Sequence, residues 1–407
     1  MPILEGGFNF SSNSFANRIE VPTSAAITIF DNVAVLQRDQ YARELGLYGE
    51  VVLGSDLEAK FMSFNTPKHL LGPRTSCTVW TPKGGLRPNI ESFPTCPVEY
   101  DGTQCPDVFY GTCFEKWFGP GNMVRDFTGT AAGQKMFSLM LMKVYQGLGN
   151  SFFDLYNFAN HPLISQVNTL GSYAVGVPEW EDYVDQMLDN GNGKNLCAGL
   201  ITQLDALKNS GGYPNLALDI PESDINFTTG AYTGDIIALL DEIIAAAGPE
   251  LETQINSGAM VNGTMRYPII LATKAEFQAL KNYYKSMAPT NELAYRYMIE
   301  LSDGTTKLMP NVLYYENLPV VRWDAHASFD AVTGAQSHRV ALVAPGVFGV
   351  LHDVSDLKQW EGMGLVIEQS KILRDKGRID MTTTFRWGAA IADPRFIVMA
   401  SKILLPV

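Results

Sequence analysis

The longest polar–apolar alternation in this chain runs from Arg378 to Trp387. Ile379, Met381, Thr383, Phe385 and Trp387 fall on one face, and Arg378, Asp380, Thr382, Thr384 and Arg386 on the other. That is the period of two of a strand with two unlike faces. A turn at 374–377, where Lys376 and Gly377 break the pattern, makes 365–373 and 378–387 a predicted hairpin. Upstream, the run 340–350 is almost wholly apolar, and so is 389–399 apart from Asp393, Pro394 and Arg395.

Earlier in the chain the period is helical. Phe137, Leu141, Val144, Leu148, Phe152, Leu155 and Ala159 recur at steps of three and four, and Pro162 closes the run. The spacing predicts a helix over 130–160, roughly 45 Å long at 1.5 Å per residue. Gly147 and Gly149 each cost about 1 kcal/mol against alanine, so a bend belongs there if anywhere. A short helix is predicted over 196–209, stopped by Gly211 and Gly212. Another covers 235–247, with Ile236, Leu239, Leu240, Ile243, Ile244 and Ala247 as its apolar stripe. The stretch 267–273 reads as a buried strand, and Thr273 with Glu276 has capping-box spacing ahead of a helix over 274–287.

The first 45 residues read as extended and loosely patterned, with 33–36 as their one firm apolar run. Such a segment is suited to lying across a neighbour. From 49 to 97, breakers at Pro67, Pro73, Pro82, Gly84, Gly85 and Pro88 separate short strands such as 77–80. A loop of this length with hairpin character usually serves function or pairs with another subunit.

Charge narrows the function classes. The 407 residues carry a net charge of −13, and the first forty contain only Arg18 and Arg38 as cations. Electrostatic capture of nucleic acid needs lysines and arginines facing phosphates, so enclosure fits better than gripping. Charged residues make up 18% of the chain, below the usual quarter, as expected where part of the surface is covered. No basic-then-apolar leader opens the sequence, and its densest apolar stretch, 137–142, is too short to cross a bilayer. Cys77, Cys96, Cys105, Cys113 and Cys197 show no C-x-x-C spacing and no histidine at a zinc-finger offset. They are expected to be reduced, partly buried thiols.

Catalytic motifs are missing. There is no H-E-x-x-H, G-x-S-x-G or G-x-x-x-x-G-K-[ST]. The loop at 191–196 has Leu196 where a dinucleotide fingerprint needs its third glycine, and the acidic run 185–193 has Met187 where a calcium loop needs a ligand. His69, His161, His326, His338 and His352 read as scattered core or surface histidines. The sequons at Asn9, Asn226 and Asn262 matter only in a secreted protein.

Taken in order, these segments resemble the major capsid protein of tailed double-stranded DNA bacteriophages, the Johnson fold shared with encapsulin shells and herpesvirus capsid floors. The resemblance covers most of the chain. It implies an α+β fold with an N-terminal arm (1–45), a long extended β-hairpin loop (46–100) and a peripheral domain with a long spine helix (101–162). An axial domain follows (163–345), carrying an insertion at 163–233, and closing peripheral strands end the chain (346–407). Within it, 267–287 resembles the axial strand–helix unit, 317–323 the strand that returns toward the peripheral domain, and 389–398 the usual ending.

The implied function is structural: self-assembly into hexamers and pentamers of an icosahedral shell around a phage genome, with no enzyme activity, cofactor or metal. Implied partners are other copies of the chain, a scaffold protein, a portal and decoration proteins. The setting is the virion, assembled in the host cytoplasm, without a membrane. No charged, coiled amino-terminal segment is present, which fits a separate scaffold and no propeptide. Lys83 and Arg87 in the hairpin region, and Arg322, Asp324, Arg378 and Arg386 beside packed strands, are the candidate inter-subunit contacts. Lys83 also lies where some relatives crosslink their loops, although no partner asparagine or catalytic carboxylate is identifiable. The competing readings are an encapsulin-type compartment, a secreted hydrolase with an oxidised 77–113 segment, and a phage tail or decoration protein.

Overall fold

The computed structural model describes residues 18–22, 42, 44–49, 51–53, 58–65, 87–104, 131–170, 187, 197–261, 264–287, 290–300, 305–353, 363–369 and 379–405. They divide into two compact units. One comprises Met1–Arg38, Cys96–Phe153 and His352–Trp387, and the other Asp39–Thr95, Asp154–Leu351 and Gly388–Val407.

The second unit is built on a six-stranded sheet ordered Arg296–Glu300, Thr306–Tyr315, Leu318–Arg322, Ile269–Ala272, Gln336–Val343, Ile397–Leu404. Ile269–Ala272 runs parallel to Leu318–Arg322, and the other neighbouring pairs are antiparallel. The turn between Tyr315 and Leu318 has two residues, Glu316 and Asn317, both at positive φ (47° and 67°). That is the backbone of a type I′ hairpin, whose twist matches the strands it joins.

Ile269–Ala272 is buried at every position, and so is Gln336–Val343 from Ser337 onward. Continuous burial follows from helices on both faces, which leave no side of the strand for polar alternation. Ser337 and Arg339 point to one face, where Ser337 meets Asp330 of helix His326–Thr333 and Arg339 meets Asp205 of helix Leu200–Ser210. His338, between them, points to the other and meets Glu276 of helix Lys274–Met287. Helix Ile236–Ala245 begins at Asp235, whose carboxylate accepts from the amides of Ile237 and Ala238. Its stripe Ile236, Leu239, Leu240 and Ile243 is buried as the periodicity requires.

In the first unit, Arg18–Pro22 pairs antiparallel with Met363–Gln369, which pairs with Ile379–Ile391. The same long strand pairs with Cys96–Gln104 over nine residues, from Ile379 opposite Gln104 to Trp387 opposite Cys96. The predicted closing hairpin is therefore present as a strand pair, and its turn at 374–377 lies outside the described residues. Met381, Thr383 and Trp387 are buried, in keeping with the alternation. Within the expected arm, Arg18–Pro22 is an extended strand paired with Met363–Gln369 of the chain's own sheet.

Glu58–Asn65 and Arg87–Pro94 form an eight-residue antiparallel ladder, with Val51–Leu53 on the outer side of the first. The expected strand at 77–80 lies outside the described residues. Helix Ala131–Phe158 spans 28 residues and passes through Gly147 and Gly149 without interruption. From Phe152 to Ala159 every residue is buried, and Asn160 at φ 56° ends the helix ahead of Pro162. The described part of the fold is α+β.

Two expectations change. Cys96 and Cys197 are both disulfide-bonded, where reduced thiols were predicted. Sequence spacing reveals only local cysteine pairs, and neither residue sits in such a motif. Ile397–Leu404, placed by the sequence with the closing strands, lies in the six-stranded sheet beside Gln336–Val343, with all eight residues in register.

Candidate interaction surface

The six residues singled out by sequence fare differently. Lys83 and Arg378 lie outside the described residues. Arg87 opens the strand Arg87–Pro94 opposite Asn65, and Arg386 is half-buried on the long strand opposite Pro97. Arg322 and Asp324 are brought together: Arg322 Nε lies 2.6 Å from Asp324 Oδ1, and its Nη2 donates to Oδ2 at 2.7 Å. Only the Nη2 contact has hydrogen-bond geometry; Nε is close enough for an ion pair but makes no hydrogen bond.

Arg322 also belongs to a pocket of about 80 Å³ that the sequence did not announce. Helix Lys274–Met287 supplies Lys274, Phe277, Gln278 and Lys281, which share one face at i, i+3, i+4 and i+7. Neighbouring strands add Arg296, Asn311, Leu313 and Arg322. Phe277 and Leu313 are buried and form an apolar floor. Four of the eight lining residues are cationic and none is acidic. In a chain of net charge −13 that is a local inversion of sign. Chemically it suits an anion carrying apolar surface. Only the i, i+4, i+7 spacing of Lys274, Gln278 and Lys281 hinted at it; Arg296 and Arg322 join through the sheet.

Beside the pocket, the outer strand Arg296–Glu300 has no partner on its free side among the described strands. Met298 on it, with Leu293 and Met287 nearby in the chain, is more than half exposed. The opposite sheet edge is covered, since Ser401 N donates to Leu218 O and Lys208 Nζ donates to Ser401 O at 3.0 Å.

The other charged cluster is interior. His161 Nε2 lies 3.2 Å from Asp205 Oδ2, and Arg339 Nη2 donates to the same oxygen at 3.0 Å. Burial pushes the Asp205 carboxyl upward, but the charge of Arg339 and the hydrogen bonds from His161 and Arg339 outweigh it and hold the group well below the usual carboxylate range. Phe158 stacks on Phe329 at 4.1 Å, with the His161 and His326 rings edge-on to it. His326 is fully buried, and burial drives its pKa well down.

This cluster does not make a hydrolase. His161 Nδ1 accepts the amide of Leu163 and its Nε2 faces Asp205, so neither nitrogen is left to activate a nucleophile. Among the described residues no group of three histidines, cysteines or carboxylates could hold a metal, and no helix is long and apolar enough to cross a membrane. The buried histidines read as core residues, as the sequence suggested for His161, His326 and His338.

No protein-family model matches the chain, and no curated protein does. Among solved structures, it is similar to a chain of the satellite phage P4 procapsid that includes the size determination (Sid) protein. There the identity is 10%, the TM-score 0.44, and the match covers 86% of this chain and 91% of that one. A chain of the cyanophage A-1(L) capsid matches at 14% identity and a TM-score of 0.42, covering 87% and 90%. The SrpI encapsulin from Synechococcus elongatus PCC 7942 matches at 12% identity and a TM-score of 0.32, covering 89% and 95%. Scores this low leave the functional reading to rest on the chain's own elements.

Proposed function

We propose that this chain is a major capsid protein of the tailed-phage type, a structural subunit that self-assembles into an icosahedral shell around double-stranded DNA. One observation carries the reading: the order of elements within a single chain. An amino-terminal strand laid against distant residues precedes a long antiparallel ladder, then a 28-residue helix, then a helix-covered sheet, then a long strand pair, and a final strand that returns to the helix-covered sheet. Each is an element that the resembling family uses in that order.

The physics supports it. Long ladders and open sheet edges are liabilities in a solitary protein and assets in one that pairs with copies of itself. A subunit of net charge −13 lining a container repels packaged DNA, which the closed wall then retains without phosphate contacts. Under this reading the subunits form hexamers and pentamers, a scaffold protein guides them, and a portal and decoration proteins complete the particle. Lys83, Arg87, Arg322, Asp324, Arg378 and Arg386 are our candidates for contacts between copies.

The test is expression of the chain with and without its candidate scaffold, followed by negative-stain electron microscopy of the heavy sucrose-gradient fraction. Thin-walled polyhedral shells or capsomer rings are expected. A monomer in both conditions, with nothing sedimenting, overturns the proposal.

A further inference from the structure

Resting on the shell-subunit reading, we propose that the cationic pocket under helix Lys274–Met287 is a docking site for the acidic–aromatic segment 179–185 of a second copy of this chain. The pocket asks for an anion with apolar surface. Its rim carries Lys274, Lys281, Arg296 and Arg322, and its floor is Phe277 and Leu313. Arg322 is paired with Asp324, and the lining holds four cations and no carboxylate, so positive charge predominates in it. Gln278 and Asn311 add amide donors that suit carboxylate oxygens.

The sequence holds one stretch of matching chemistry. Residues 179–185 read Glu179, Trp180, Glu181, Asp182, Tyr183, Val184, Asp185: four carboxylates and two aromatics in seven positions. Between Lys143 and Lys194 the chain has neither lysine nor arginine, so nothing nearby in sequence cancels those charges. Carboxylates then meet the rim while an aromatic ring covers the floor, an arrangement in which charge sets register and buried aromatic area sets lifetime.

A second copy is the favoured donor. Met187, two residues past the segment, is fully buried, and its carbonyl accepts from Asn160 N at 2.8 Å. Asn160 adjoins His161, whose partner Asp205 lies on the sheet face reached by Arg339. The pocket lies on the opposite face, the one reached by His338 through Glu276. Met187 is thus anchored on the face reached by Arg339 while the pocket lies on the other, which suits head-to-tail association, the kind that closes rings.

The experiment uses a fluorescein-labelled peptide of residues 177–187, titrated by anisotropy into the full chain. The host carries Glu179→Gln, Glu181→Gln, Asp182→Asn and Asp185→Asn, so that its own segment does not compete. Saturable binding is expected, weakened at least tenfold by Lys281→Glu with Arg296→Glu and again by the all-amide peptide. Lys281→Met with Arg296→Met, checked for native circular dichroism, guards against a folding artefact and is expected to weaken binding in the same direction. Equal affinity for the charge-reversed host or the all-amide peptide overturns the proposal. So does a DNA duplex that displaces the peptide from the pocket, which would make the site one for phosphate. Shell formation is scored separately: Lys281→Glu with Arg296→Glu should reduce shell yield, and adding Glu179→Lys with Glu181→Lys should restore it. If the parent chain forms no shells at all, the shell reading fails and the peptide titration still decides the pocket.

Discussion

Arg339 of strand Gln336–Val343 places Nη2 3.0 Å from Oδ2 of Asp205 on helix Leu200–Ser210, joining residues 134 apart in the chain. The arginine side chain is almost fully buried. Its Nη1 lies 3.6 Å from the Met399 sulfur, and its charge is met by Asp205. Removing one partner of a buried pair leaves an uncompensated charge, which costs about 3–5 kcal/mol. Asp205→Asn should therefore lower the urea midpoint sharply. The double variant Asp205→Leu with Arg339→Met should be less destabilised than the sum of its singles, because it buries no orphan charge. Strict additivity in that cycle would mean that the pair is not coupled.

Gly199 makes a second, purely steric prediction. It precedes helix Leu200–Ser210, and its amide donates to Ala159 O at 3.0 Å. A Cβ built there would overlap the backbone of Asn157 and stand 2.6 Å from Phe158 N. Backbone atoms within a helix cannot retreat as a flexible side chain does. Gly199→Ala should cost about 2–4 kcal/mol by forcing the two helix ends apart. Gly211→Ala tests a different cause: space is open around it, but φ is +70°, so the cost should be the smaller one of left-handed backbone, about 1 kcal/mol. Thermal melts of the two variants should rank them in that order.

What was legible in the sequence was local. The stripe at Ile236, Leu239, Leu240 and Ile243, the alternation through Met381, Thr383 and Trp387, and the uninterrupted helix through Phe152 and Leu155 each declare their period within a dozen residues. What escaped was long-range. Nothing near Asp205 announces Arg339, nothing near Cys96 or Cys197 announces a disulfide, and nothing near Arg18 announces Met363–Gln369 as its ladder. The pocket shows the same division. Arg322 stood out as a charge beside a strand, whereas Arg296 and Lys281 acquire meaning only when the sheet sets them around Phe277.

Asp330 gives a pH dependence. Burial pushes its carboxyl up to about 6 from an ordinary 3.8, against the hydrogen bonds from Ser337 that pull it down. Because the folded chain holds this proton more tightly than the unfolded one, the contribution to stability is full below pH 3.8 and lost as pH rises through about 6. A shift of this size corresponds to about 3 kcal/mol at most, on 1.36 kcal/mol per unit. Asp330→Asn cannot ionise, so its stability relative to the parent should climb between about pH 4 and pH 7 and level off above. A difference between the two chains that is flat across that range would show that Asp330 titrates normally in the fold.

Glu276 closes the other face of the sheet. Its side chain is fully buried, accepts from the Thr273 hydroxyl, and lies with Oε1 2.6 Å from His338 Nδ1. Thr273 is in turn locked to the strand, its amide donating to Arg339 O at 2.9 Å and its hydroxyl accepting from Arg339 N at 3.1 Å. The Thr273–Glu276 pair thus fastens helix Lys274–Met287 to Gln336–Val343. Glu276→Ala leaves the threonine hydroxyl and the histidine ring without their acceptor in a site closed to water, at a cost of about 2–4 kcal/mol. Glu276→Gln keeps one carbonyl oxygen in nearly the same place and should recover roughly half of that. Hydrogen exchange should report the same order, with the amides of Phe277 and Leu280 faster in the alanine variant than in the glutamine one. Equal losses in the two variants would mean that the carboxylate's charge, and not its role as an acceptor, holds the helix to the sheet.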